Sequence, residues 1–145
     1  MKRRLEGLNL AEQADKEVPD GLLLVQVSRA QYRWHARKPY YSLSLSILEP
    51  KQYRGRSIIG RLYCTTKATW KLSWFLRDFG YDSELFERDE IDEKALVGLR
   101  GIVKISRAKV RGVSVLNLDS FAPATEWKGL SAGRLTQMGR DEVIS

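Results

Sequence analysis

Cysteine and histidine each occur once, as Cys64 and His35. A lone cysteine excludes an intramolecular disulfide framework. One residue of each type leaves no support for a His/Cys metal cage or a Cys–His nucleophilic pair. Long apolar runs are also missing. The longest uncharged apolar stretch is only Leu22–Val25 and its surroundings, far short of the roughly 20 residues that span a bilayer as a helix. The opening Met-Lys-Arg-Arg is followed by Glu6, Asn9, Glu12 and Gln13, so no signal-peptide core is expected. No glycine-rich phosphate loop of the Walker or Rossmann type is present, and neither is an internal repeat or a low-complexity tract. The expectation is a soluble, cytoplasmic, non-enzymatic protein without metal or cofactor.

What is present suits one folded domain. The chain has 145 residues, of which 43% are hydrophobic, enough to bury a core on that scale. Net charge is +7 with a pI near 9.7, which invites a polyanionic partner. The distribution says more than the total. Residues 28–71 hold ten basic side chains and one acid, Glu49, whereas residues 72–98 hold three basic side chains and eight acids. Such segregation predicts one basic face.

Periodicity orders the elements. Pro19-Asp20-Gly21 is a turn signal, and Leu22–Ala30 then reads as a strand. Tyr40–Leu48 alternates strictly: Tyr41, Leu43, Leu45 and Ile47 share one face, while Tyr40, Ser42, Ser44 and Ser46 share the other. A period of two places one set in a core and leaves the second open. In Ser57–Cys64, Ile58, Leu62 and Cys64 suit the interior, and Ile59, Arg61 and Tyr63 point outward. Gly60 is read as a bulge or bend that closes a barrel. Helical spacing follows over Thr66–Phe79, with Gly80 as its terminator. A second short helix is expected over Asp89–Val97. Strands over Leu99–Ala108 and Val113–Leu118, joined through Lys109–Gly112, close the unit.

Five short strands with a helix between the third and fourth match a five-stranded Greek-key barrel of the OB type. SH3-like and ferredoxin-like folds remain open at this point. The expected organisation is an N-terminal arm over 1–20, the barrel over 21–121 and a C-terminal arm over 122–145. OB barrels bind oligonucleotides on the face of strands two and three, between the first and last loops. The first connection, residues 31–40, reads as a loop that interleaves aromatics with cations. The candidate contacts there are Tyr32, Arg33, Trp34, Arg37 and Lys38. Tyr40, Ser42, Ser44, Arg61 and Tyr63 come from the open face, Arg54 and Arg56 from the next turn, and Lys109 and Arg111 from the last hairpin. Unpaired bases stack on rings while cations track phosphates. Tyr63 is equally readable as a cross-strand partner of Tyr40 or Tyr41. Trp70 and Trp74, four apart on the helix, read as residues that plug or flank the barrel. The acidic run Asp89-Glu90-Ile91-Asp92-Glu93 reads as a helix N-terminus, where negative charge is favoured, ahead of a metal or acid–base site.

The element order, with Tyr40–Ile47, Ser57–Cys64, Gly101–Ser106 and Asn117–Phe121, resembles the OB-fold single-stranded DNA-binding proteins of bacteria, phages and mobile elements. The likeness covers roughly residues 20–120 and is architectural. It implies a role in coating or handing over single strands in replication, recombination or transposition. Such proteins often end in an acidic tail with a terminal aromatic; Arg140–Ser145 lacks the aromatic, so recruitment of partners by that route is not expected. Other readings stay open: RNA in place of DNA, a homo-oligomer, and an OB-fold adaptor that docks DNA-processing proteins.

Overall fold

The computed structural model describes residues 18–131; what is expected of 1–17 and 132–145, including the tail at Arg140–Ser145, lies outside them. The first strand, β1 (Gly21–His35), is 15 residues long and organises the whole sheet. Its first part, Gly21–Gln26, pairs with β4 (Arg100–Val110), while Leu24–His35 pairs with β2 (Lys38–Glu49). With β3 (Ser57–Tyr63) and β5 (Val113–Pro123), these form one five-stranded antiparallel sheet in the order β3-β2-β1-β4-β5.

An extra residue in β1 reshapes this strand. The register against β2 shifts between Val27 and Arg29, and the Ser28 hydroxyl donates to the Ser44 carbonyl at 3.1 Å. Before that bulge Leu23, Val25 and Val27 face the core; after it Ala30 does. Bulges of this kind bend a strand and increase its twist.

The alternation over Tyr41, Leu43, Leu45 and Ile47 forms the core side of β2, and Ile58 and Leu62 continue it on β3. Cys64 is half-buried beside this core, and burial pushes its thiol above the usual range. Three short helices lie between β3 and β4: α1 (Thr69–Asp78), α2 (Ser83–Glu87) and α3 (Glu93–Leu96). Leu72, Phe75 and Leu76 of α1, with Phe79 just after it, sit on the sheet. There Phe121 meets Phe75 edge-on at 5.5 Å. Gly101 is needed at this seam, because a Cβ would run into the Phe79 ring.

Several expectations are corrected. Residues 31–40 are not a loop: strand pairing continues to His35↔Lys38, and Ala36 and Arg37 alone make the turn, with φ of 48° and 63°. Both values match the left-handed pair that a tight two-residue hairpin turn requires. Gly60 is no bulge, since the β2–β3 register runs unbroken through Leu43↔Gly60. Nor is the sheet closed by hydrogen bonds. β3 and β5 remain its edges and meet through packing at Gly60, where a Cβ would lie 2.7 Å from the Leu118 side chain. The second helix is confined to Glu93–Leu96, with Asp92 as its cap. Val18, from the expected N-terminal arm, is fully buried in the core. The last strand runs on to Pro123, and 3-10 and helical turns follow over 124–131. Among the described residues no helix is long and apolar enough to cross a membrane.

Candidate nucleic-acid interface

Strand register builds a three-by-three grid on the outer face of β1, β2 and β3. Its rows are Arg33, Tyr40 and Tyr63; Gln31, Ser42 and Arg61; Arg29, Ser44 and Ile59. Directly opposite residues on neighbouring strands share a face, so all nine project to one side. The small serines in the middle column leave a depression of about 300 Å³ bordered by Arg29, Arg33 and Arg61. Among the described residues lining it, none is acidic.

The cations on this face are oriented by neutral groups. Arg33 donates to the Gln31 amide oxygen. Arg61 lies over the Tyr40 ring at 4.6 Å and donates to the Tyr63 hydroxyl at 3.4 Å. That hydrogen bond, ahead of the smaller cost of desolvation, raises the Arg61 pKa further above its ordinary value. A charge held by dipoles and a ring keeps its net value for a ligand.

The rings fare differently. Tyr40, expected on the open face, is on it by register but is only 6% exposed. Tyr63 packs against it at 5.4 Å and Arg61 covers it, so it supports the cation and offers no free surface to stack upon. Tyr63 is thus the cross-strand partner of Tyr40 that the alternative reading described. Tyr32 and Trp34 project to the opposite side of the hairpin. Tyr32 pairs with core-facing Tyr41, ring centroids 5.2 Å apart, and meets Trp34 edge-on at 6.1 Å. The Tyr32 amide donates to Glu93 at 3.0 Å. Trp34 is 64% exposed there. Burial, with smaller contributions from neighbouring acidic groups, pushes the Tyr41 phenol up to about 12.

The remaining predicted residues divide between the two ends of the sheet. Arg37 and Lys38 form and follow the β1–β2 turn, and Lys109 and Arg111 belong to the β4–β5 hairpin, where Arg111 (φ 53°) and Gly112 (φ 81°) make the turn. The two hairpins border one groove, lined by His35 from the first and Val110 and Val113 from the second. Arg54 and Arg56 lie near the other end of the β2–β3 ladder, six register steps or more from Tyr63, which is about 20 Å at ~3.4 Å per residue. Arg54 is held by Glu49 at 2.7 Å, and the Arg56 guanidinium sits 5.8 Å from the Tyr53 ring. The structure therefore gathers Arg33, Tyr40, Ser42, Ser44, Arg61 and Tyr63, with the turn cations at their margin. It separates Tyr32 and Trp34 from them by the thickness of the sheet, and Arg54 and Arg56 by its length.

Arg29, Gln31 and Ile59 belong to the grid although the sequence reading did not select them as contacts. The signal was available in the alternation of Gln31, Arg33 and His35 with Tyr32 and Trp34, which is a strand pattern.

No protein-family model matches the chain, and a search of curated proteins finds no match.

Proposed function

We propose that the chain is a non-catalytic, sequence-tolerant binder of single-stranded DNA built on an OB-type barrel. The strand order, with helices between the third and fourth strands and the two edge strands brought face to face, supports the fold assignment; OB barrels are often only partly closed. The observation that carries the functional reading is the outer grid, which presents Arg29, Arg33 and Arg61 around a serine-floored depression. Guanidinium groups there engage phosphates, and the serine hydroxyls hydrogen-bond sugars or base edges. The face is built from strands beside two short hairpin turns. Among the described residues it offers no basic helix for a duplex groove.

Fluorescence anisotropy with oligo(dT), duplex DNA and RNA of equal length tests this. Binding is expected to favour the single-stranded ligands. With about four phosphates engaged, affinity should fall roughly fiftyfold between about 50 and 200 mM salt. Salt-insensitive binding, or equal affinity for duplex, would remove the assignment. Discrimination between DNA and RNA would come from contacts at the 2′-hydroxyl, and the same titrations read it out.

A further inference from the structure

Beside the outer grid, sharing its β3 column, lies a groove of about 890 Å³. It follows the facing edges of β3 and β5, which among the described residues pair with no further strand. Edge strands direct unpaired backbone donors and acceptors outward. Lys67, just before α1, and Trp70 and Lys71 in its first turn line this groove.

Trp70 is 60% exposed, and its setting explains how so large a ring is held in solvent. Its ring stacks on Trp74, one helical turn on, at 6.2 Å and 25° between planes. Trp74 is fixed in turn: its indole N–H donates to Asp78 at 2.8 Å, and its ring meets buried Phe121 edge-on at 5.6 Å. Trp70 is therefore the outer member of a stack rooted in the core. Trp74 lies toward one side of the ring, and the Lys71 ammonium sits 5.9 Å from its centroid, a distance that leaves room for a base to displace it.

We infer that this groove continues the single-strand path, with Trp70 as a base-stacking platform and Lys67 and Lys71 as phosphate contacts. The inference rests on the single-strand reading above and extends it to a second surface. Ile59 and Arg61 line both the outer depression and the groove, so a strand leaving the grid passes over them without a break. Val113 and Val115, both exposed, supply an apolar wall from β5. Charge selects the occupant. Arg61, Lys67 and Lys71 face a single carboxylate, Asp119, among the described lining residues, which suits a polyanion carrying flat apolar groups. An added peptide strand would use the same backbone edges, but it has no requirement for the ordered indole.

The test uses the full chain and labelled oligo(dT). Trp70→Ala is expected to weaken binding about tenfold, the size of one lost base stack, while Trp70→Phe stays within about threefold because a ring remains. Circular dichroism melts confirm that both variants fold. In a variant with Trp34, Trp74 and Trp127 replaced by phenylalanine, the emission of Trp70 should be quenched by oligo(dT). Polyglutamate of equal charge, which carries no bases, should leave that emission unchanged. Wild-type binding left intact in Trp70→Ala would overturn the groove alone. Equal quenching by polyglutamate would assign the groove to an acidic protein segment instead. If the wild-type chain binds no single strand, the parent reading falls first.

Discussion

Residues 28–71 and residues 72–98 carry opposite charge and use it in opposite ways. In the helical segment four of the eight acids are occupied by backbone or indole donors. Asp82 caps α2 by accepting from the Glu84 and Leu85 amides, and Asp92 caps α3 through Lys94. Asp78 holds the Trp74 indole, and Glu93 reaches the Tyr32 amide. These carboxylates satisfy backbone and indole donors that would otherwise lack partners. In the strand segment, Arg33 and Arg61 are positioned by an amide, a phenol and a ring. Charge serves folding at these four acids, whereas at Arg33 and Arg61 it is displayed. The sign of a segment therefore says little about binding until the partners of each charge are known.

The comparison breaks most directly under charge reversal. Arg33→Glu with Arg61→Glu should weaken oligo(dT) binding by about a hundredfold or more, since two phosphate contacts become repulsions. The same reversal at Arg77 and Arg88, in the helical segment, should change it less than about twofold. Comparable losses from both pairs would show that net charge alone attracts the strand.

A second perturbation acts on the seam between the regions. Gly101→Ala places a methyl group against the Phe79 ring, and overpacking of this kind costs about 1–3 kcal/mol. Urea denaturation should show that loss with the binding of the remaining folded protein little altered. A neutral result would mean that α1 and the residues after it ride loosely on the sheet.

The smallest expected effect concerns Tyr41, between the core and the ring pair of Tyr32 and Trp34. Its phenol ionises at about 12 in the folded chain against 10.0 for the free side chain. The folded state thus holds this proton more tightly than the unfolded state. The contribution is fully present below pH 10 and is lost as pH rises toward 12. Tyr41→Phe should flatten the alkaline limb of the stability profile measured by urea melts. An unchanged limb would place the titrating group elsewhere.

The strict alternation of Tyr40–Ile47 made β2 legible, and the change of period after Thr66 marked the helical segment. The β1–β2 turn was not legible, because Ala36 and Arg37 carry none of the glycine or asparagine that usually marks left-handed backbone. Without a turn signal, the alternating Gln31–His35 reads as a loop rich in rings. Tyr40 was placed on the right face, yet sequence spacing cannot say that Arg61 and Tyr63 lie across it. The helix period grouped Trp70 with Trp74 as residues that flank or plug. Trp74, anchored on Phe121, packs in, whereas Trp70, a turn away, is largely exposed beside the groove.

The single unpaired serine in β1 fixes the parity of everything downstream in that strand. Because Ser28 is counted once on β1 and not at all on β2, Arg29, Gln31 and Arg33 emerge on the outer face while Tyr32 and Trp34 fall on the opposite one. Deleting one codon there would transpose the two sets, replacing guanidinium groups with indole and phenol on the outer surface. A one-residue change in length would thereby rewrite the chemistry of that surface while leaving its amino-acid composition almost untouched.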